Sequence, residues 1–331
     1  MARTSGIIVV PRLCAMALAI SAGGASAFAA EGGAGFYLLG SRGPMAGFVP
    51  PPGIYLQNDV YFYSAKADVS RTFPFNGQIV AGIDADVWIE MPTVVWSTPL
   101  SVLNGNLALS VTPVIGGPSL DFDARLTGPL GNTTAVNLND STFTYGDPVL
   151  SAMIGWHHGN FHWQTGVSVN VPIGDYEKNA LANISFNRWA ADVFGAVTWL
   201  DPTIGLDLSV AAGVTFNGEN DFTQYRTGNE FHVEWSAEQH LSKQVSIGFI
   251  GYYYHQLTGD SGAGAVLGPF KGRTLALGGT VAFNFEVDRT PWSLRLKAFK
   301  ELDVENRLEG TSGFLTVSVP LHVATVGATG N

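Results

Sequence analysis

The chain has little cysteine, little charge and no long hydrophobic run beyond its first 30 residues. Of its 331 residues one is cysteine and only 13% are charged, although 46% are hydrophobic. The single cysteine is Cys14, in the N-terminal segment, so the rest of the chain can form neither a disulfide nor a thiolate metal site. Without an apolar run of about 18 residues, a helical membrane span is not expected.

The first 29 residues have the features of a secretory signal peptide. Arg3 and Arg12 carry positive charge, apolar residues follow each of them, and Ala27-Phe28-Ala29 supplies a small-x-small cleavage site. Without these two arginines the chain keeps 15 basic and 27 acidic residues, a net charge of about −12. We do not expect so acidic a chain to bind nucleic acid.

After residue 50, apolar and polar residues alternate in long segments. In RWAADVFGAVTWL, for example, the odd positions from Trp189 to Trp199 are apolar or small, whereas Arg188 and Asp192 occupy the opposite face. Such segments run about 10 to 15 residues, longer than a usual globular strand and long enough to cross a bilayer. The pattern predicts an all-β fold, an antiparallel up-and-down transmembrane β-barrel in the cell outer membrane. A soluble β-sandwich or lipocalin-like barrel is the alternative.

Short turns alternate with long polar connections, as periplasmic turns and outer loops do in outer-membrane barrels. The short turns are at 156–160, 200–203, 240–244 and 288–291, and the long connections are at 173–185, 218–228, 258–271 and 302–312. Twelve strands result if residues 106–127 form one strand bent at Gly116-Gly117-Pro118, and fourteen if residues 93–103 form a strand of their own. The predicted division is a signal peptide (1–29), a Gly/Pro-rich arm (30–50), periplasmic or within the lumen, the barrel (51–321) and a C-terminal tail (322–331).

The segment EFHVEWSAEQHL, residues 230–241, places acidic and histidine side chains on one face of a strand. A metal site is one interpretation of this face. However, His232 and His240 would lie about 27 Å apart at ~3.3 Å per residue, too far to share one ion. We therefore expect no metal and no cofactor, and interpret these residues as rungs along the lumen.

The same alternation predicts the other lumen-lining residues. Buried carboxylates need cations or hydrogen bonds, so we expect inward acidic residues to pair with inward basic ones. Aromatic residues in the inward phase would suit an aromatic permeant or the packing of a plug. Trp88 is placed inward together with Asp84, Asp86 and Glu90. The predicted set is Trp88, Arg188, Asp192, Glu230, His232, Glu234, Glu238, His240, Tyr252, Tyr254, Arg295 and Lys297.

No catalytic set is evident in the sequence. GDSGAG, residues 259–264, resembles the glycine-flanked serine of serine hydrolases, but it lies in a predicted loop rather than in a strand-turn-helix context. We do not expect the protein to be an enzyme.

Several segments together resemble a known family. They are GDP (146–148), WHHGNFHW (156–163), VPIGDYEKNALANIS (171–185), FNGENDFTQYRTGNEFHVEW (216–235), GYYYHQLTGDSGAGAVLGPFKGR (251–273) and ENRLEG (305–310). In this order they are similar to the family involved in the meta pathway of phenol degradation. The resemblance implies an outer-membrane barrel, a channel or transporter for aromatic or other hydrophobic compounds, without catalytic residues to carry over.

The leading hypothesis is a porin-like channel that admits small hydrophobic or aromatic compounds through this lumen. Its expected partners are membrane lipid, the permeant and the outer-membrane assembly machinery. The rival hypothesis is a structural or surface-interaction barrel that is closed by its own salt bridges and binds ligands with its outer loops.

Overall fold

The structure, a computed structural model, describes residues 30–33, 35–75, 78–127, 133–178, 180–266 and 268–323. Where strands cover 67–82 and 122–138, only their backbone is described. The predicted signal peptide (1–29) and all but two residues of the predicted tail (322–331) lie outside the described residues.

The described chain is almost entirely β-structure. A 3-10 helix, Glu31–Gly33, precedes the strands β1 Gly53–Phe75, β2 Gln78–Val102, β3 Gly105–Thr112, β4 Ile115–Thr127, β5 Thr133–Ser141, β6 Thr144–Tyr145, β7 Val149–His158, β8 Phe161–Asn170, β9 Ala190–Asp201, β10 Leu206–Asn217, β11 Glu219–Asn220, β12 Tyr225–Arg226, β13 Glu230–His240, β14 Val245–Gln256, β15 Arg273–Val287, β16 Thr290–Glu305 and β17 Glu309–Val323. Within the described ranges, no helix has the length and hydrophobicity needed to cross a membrane.

Twelve of these strands close into one barrel. β1 pairs with β2 along one edge and with β17 along the other, so Gly53 lies opposite both Ser97 and Val323. The order around the wall is β1-β2-β3-β7-β8-β9-β10-β13-β14-β15-β16-β17, which returns to β1. These neighbours are all antiparallel. The predicted antiparallel twelve-stranded barrel is therefore confirmed.

The pairing of β2 explains the strand count in the N-terminal third. β2 pairs with β4 in its first half and with β3 in its last, so β3 and β4 form one interrupted strand beside it. The interruption is at Pro113 and Val114, slightly before the predicted bend. Gly116 follows with φ +139°, and the carbonyl oxygen of Trp88 occupies the space that a Cβ would need. Residues 93–103 form no separate strand, because β2 runs through to Val102.

The two faces of the wall differ sharply in polarity. On β9, Asp192 is 0% exposed, whereas its neighbour Val193 is 52% exposed. Large apolar residues are exposed on the outer face of most wall strands, among them Val197, Leu208, Val210, Ile247, Phe249, Leu277, Phe283, Phe285 and Leu296. A continuous apolar band of this kind requires lipid around it. The protein is accordingly a transmembrane barrel of the outer membrane.

Tight turns lie at one end of the barrel and long connections at the other. The turns between β7 and β8, β9 and β10, β13 and β14, and β15 and β16 leave only two to four residues outside the strands. In the two-residue turn between β15 and β16, Asp288 and Arg289 have φ of +50° and +66°, the conformation of a type I′ hairpin. Because periplasmic turns are short in outer-membrane barrels, this end faces the periplasm.

Candidate functional site

The described residues of the arm, 30–33 and 35–50, occupy the lumen and reach from one end of it to the other. At the extracellular end, Ala30 donates its N–H to Asp260 in the long connection between β14 and β15 (3.0 Å). At the periplasmic end, the carbonyl of Pro50 accepts a hydrogen bond from Ser97, near the tight turn between β2 and β3 (2.6 Å). The arm therefore spans the full height of the barrel.

Between these ends, polar side chains of the wall hold the backbone of the arm. An irregular segment leaves its own N–H and C=O groups without strand or helix partners, so these groups must find others in the interior. The contacts are Gly40 N to Glu234 Oε1 (2.9 Å), Met45 N to Asp207 Oδ2 (2.9 Å) and Ser209 Oγ (3.1 Å), Gly47 N to Thr198 Oγ1 (2.9 Å), and Gln164 Nε2 to Ala46 O (2.5 Å). The polar inner face thus replaces water for the arm.

Lys297 on β16 is a basic residue of the wall that donates hydrogen bonds to the backbone of the arm. Its ammonium donates to the carbonyl oxygens of Gly40 (2.5 Å) and Ser41 (2.8 Å) and lies 4.3 Å from the centre of the Phe314 ring. Lys297 is only 5% exposed. Glu234 accepts a hydrogen bond from the N–H of Gly40, and Lys297 donates one to its carbonyl oxygen. The two side chains therefore bind the same residue of the arm.

On β13, the acidic and histidine residues take separate partners. His232 stacks on Tyr37 of the arm, with ring centroids 3.5 Å apart, and its Nε2 lies 2.9 Å from Oδ1 of Asp192. Glu230 accepts a hydrogen bond from the hydroxyl of Tyr254 (2.6 Å). These residues are buried, and within the described ranges no group of three or more potential ligands is arranged to hold a metal ion.

The remaining charged residues of the predicted set form two groups. Glu238 forms a bidentate ion pair with Arg295, one bond of which is Nη2 to Oε1 at 3.0 Å. His240, at the periplasmic end of β13, is partly exposed and lies 3.9 Å from the same carboxylate. Arg188, immediately before β9, lies 3.8 Å from the carboxylate of Glu31 in the arm. A basic residue beside the wall, Arg188, thus pairs with an acidic residue of the arm, Glu31.

A mainly aromatic cluster lines the lumen on β1, β14, β15, β16 and β17. Its buried members are Tyr61, Ile250, Tyr252, Ala276, Phe299 and Phe314. Leu38 and Leu39 of the arm pack against this cluster. The hydroxyl of Tyr252 donates to Glu301 (3.2 Å), which keeps a polar group within the apolar surface.

Trp88 does not lie in the lumen, and the prediction for it was wrong. On β2, Ile83 and Ala85 are buried in the interior, and Trp88 has the opposite parity. Its ring stacks on exposed Phe143, with centroids 5.5 Å apart, and borders a groove of about 840 Å³ on the outer surface. Asp84, Asp86 and Glu90 share its parity and face outward too; Asp84, for example, forms an exposed ion pair with Lys66.

Comparison with known proteins identifies the family of the chain. Residues 71–317 match the family model described as "Putative MetA-pathway of phenol degradation". The chain belongs to this family. The resemblance of its connections to the phenol-degradation family is thereby confirmed. Among curated proteins, no sequence matches the chain.

Solved structures similar to this phenol-degradation family member include an outer membrane channel. The COG4313 outer membrane channel from Pseudomonas putida F1 is 16% identical, with a TM-score of 0.64 over 83% of this chain and 98% of that one. The translocator domain of autotransporter NalP from Neisseria meningitidis is 12% identical, with a TM-score of 0.47 over 81% of this chain and 88% of that one. The first similarity supports the barrel fold.

Several interior residues of this family member were missed by sequence reasoning. Glu301 accepts hydrogen bonds from Tyr63 (3.0 Å) and from Tyr252, and the alternation of β16 would have placed it inward with Lys297. Asp147 of the GDP motif accepts bonds from residues 170, 174, 185 and 186 and ties β8 to the connection that follows it. Connections have no alternation, so only the motif itself signalled Asp147.

Gly40→Ala is expected to loosen the plug of this phenol-degradation family member. Gly40 has φ +84°, and an added Cβ would lie 2.7 Å from Cε2 of Phe299. Gly33→Ala is the matched control, because Gly33 also has a positive φ, +69°, but no described atom lies within 4 Å of its Cβ position. Both changes carry backbone strain of about 1–2 kcal/mol. Faster protease cleavage of the arm in Gly40→Ala alone would reveal the contact with Phe299, and equal cleavage would contradict it.

Proposed function

We propose that the protein is an outer-membrane channel through which small hydrophobic or aromatic compounds pass passively. The supporting observation is the aromatic cluster that Leu38 and Leu39 of the arm cover. A small aromatic molecule presents a similar apolar surface, and tyrosine hydroxyls add hydrogen bonds at its edge. When the arm moves aside, the permeant takes the place of the two leucines.

The way the arm is held favours such a movement. Its polar contacts are one ion pair and separate hydrogen bonds, which contribute about 0.5–1.5 kcal/mol each between neutral groups and about 1.5–3 kcal/mol each where one partner is charged. The single cysteine of the chain precedes the described residues, so no disulfide fastens the arm to the wall. Displacement therefore needs the successive loss of separate noncovalent contacts and breaks no covalent bond.

The comparisons agree with this proposal. The description of the family names phenol degradation, and the Pseudomonas putida protein is described as an outer membrane channel. We infer that membrane lipid surrounds the apolar band, that the assembly machinery of the outer membrane inserts the barrel, and that nucleic acid is not a partner.

Uptake measurements test the proposal. A strain that lacks the gene is expected to take up a panel of small aromatic compounds more slowly than the parent, and the complemented strain is expected to recover. A hydrophilic solute of similar size serves as the control, because a channel with an aromatic lining should discriminate against it. Unchanged uptake of the whole aromatic panel would refute the transport role.

The rival function, a closed barrel with ligand-binding outer loops, has one observation in its favour. β1 and β2 are 23 and 25 residues long, which is far more than the roughly 9–11 residues that a membrane-spanning strand requires. Their hairpin therefore projects from the extracellular end. Binding that depends on this hairpin, without any conductance in a planar bilayer, would favour the rival.

A further inference from the structure

Ala30 is buried at the extracellular end of the lumen. It is 0% exposed, and its nitrogen lies 3.0 Å from Oδ2 of Asp260. It also directly follows Ala27-Phe28-Ala29, the small-x-small sequence at which signal peptides are cleaved. The nitrogen that such a cleavage would release therefore already faces a carboxylate.

Asp260 lacks a positive partner among the described residues. It is 4% exposed, and its hydrogen-bond donors are all neutral. Besides Ala30 they are Tyr225 Oη (2.6 Å), Gly228 N (2.9 Å) and Gln256 Nε2 (2.6 Å). Burying a carboxylate without a cation beside it costs free energy, so one positive charge at this site would stabilise the folded state.

Glu31 adds to this excess of negative charge. Burial raises the pKa of its carboxyl, and the charge of Asp260 acts in the same direction. The charge of Arg188 and a hydrogen bond from Asn220 Nδ2 (3.2 Å) oppose the shift only in part. The ion pair of Glu31 with Arg188, at 3.8 Å, leaves Asp260 without a charge partner of its own.

The backbone of Ala30 provides an independent observation. Its φ is +67°, in the left-handed region that costs an L-residue about 1–2 kcal/mol. The torsion φ is defined by the carbonyl carbon of the preceding residue. Hydrolysis of the Ala29–Ala30 bond removes this carbon, and the strain disappears with it. The conformation of Ala30 thus suits a free N-terminus better than a continuous chain.

We propose that signal peptidase cleaves the Ala29–Ala30 bond and that the new α-ammonium of Ala30 forms a buried ion pair with Asp260. In the cleavage, water adds across the amide and the C–N bond breaks. The segment ending in Ala29 leaves with a carboxylate, and the released amine takes up a proton. The ion pair supplies the missing positive charge and fastens the end of the arm to the connection between β14 and β15. Maturation thereby completes the plug.

Amine acylation of the purified mature protein tests this proposal. Intact mass and the N-terminal peptide should first show a chain that begins at Ala30. At neutral pH, an N-hydroxysuccinimide ester should then acylate this α-amine at least about tenfold more slowly than the amine of a free AEGGAGF peptide, since a pKa raised by one unit removes nine-tenths of the reactive form. A different N-terminus, or equal acylation rates, would overturn the proposal.

Two variants isolate the ion pair. Asp260→Asn should abolish the protection of the α-amine, whereas Asp221→Asn, at an exposed residue of a nearby connection, should leave it intact. If Asp260→Asn fails to fold, one alanine inserted between Ala29 and Ala30 moves the ammonium by about 3.3–3.8 Å without altering Asp260. This insertion should also remove the protection, and retained protection would refute the pairing. These acylation rates do not depend on whether the barrel conducts. Failure of the ion-pair proposal can therefore be distinguished from failure of the proposed channel function.

Discussion

Replacement of Lys297 by methionine is expected to destabilise the folded barrel by about 3–5 kcal/mol, the usual effect of removing one partner from buried charges. The ammonium of Lys297 binds the carbonyl oxygens of Gly40 and Ser41. The charges of Asp59 and Glu234 also lie close enough to interact with it. Methionine fills a similar volume but carries no donor and no charge, so the carbonyls and carboxylates lose their cation together.

Unfolding in guanidinium chloride, with the protein in lipid vesicles, measures this loss. Lys300→Met is the matched control, because Lys300 lies on the same strand but is exposed. The control should change the free energy of unfolding by no more than about 0.5 kcal/mol. Equal destabilisation of both variants would show that the buried position of Lys297 has no special importance.

Alternation predicts the membrane-spanning part of the barrel because the bilayer constrains the wall. A charge on the lipid face costs about 2–4 kcal/mol near the midplane, so each spanning strand has only one tolerable register. β13 shows this most clearly: Glu230, His232, Glu234 and Glu238 can lie only on the inner face, where all four are buried. The strand count follows from the same rule once β3 and β4 are taken as one interrupted strand.

The error at Trp88 has a physical cause. Above the bilayer the outer face of β2 meets water, so Asp84 and Asp86 incur no cost there. The inner face instead packs on Leu181 and Leu308 of the outer connections, which makes it apolar. Polar residues therefore mark the interior inside the membrane but not beyond it. Trp96, an exposed residue of the same parity lower on β2, is the sequence signal that would have corrected the assignment.

The partners of the arm could not be predicted from the sequence. The arm contributes mostly backbone groups to these contacts, such as the Gly40 N–H or the Ser41 carbonyl, and every residue possesses such groups. The ionic partner expected for Lys297 was an acidic side chain of the wall, whereas its hydrogen bonds go to carbonyl oxygens of the arm. A pattern of side chains contains no information on which backbone segment will fill the space between them.

Replacement of arm residues 36–49 by a Gly-Ser segment of equal length is expected to raise the single-channel conductance several-fold. The interior of an eight-stranded barrel is filled by its own side chains, but twelve strands enclose a wider space. In this protein the arm fills that space, with Leu38 and Leu39 against the aromatic cluster. A Gly-Ser segment keeps the N-terminus and β1 in place but lacks the side chains that plug the lumen.

Planar-bilayer recordings of the wild type and this variant measure the effect, and point variants assign it. Leu38→Ser combined with Leu39→Ser should give part of the increase, because it removes only the apolar contact. Leu103→Ser, at a turn residue that is 77% exposed, should behave like the wild type. If the Gly-Ser variant conducts no better, the wall must seal the lumen without the arm. The ion pair of Glu238 with Arg295 would then be part of a permanent barrier, and the closed-barrel function would be favoured over the channel.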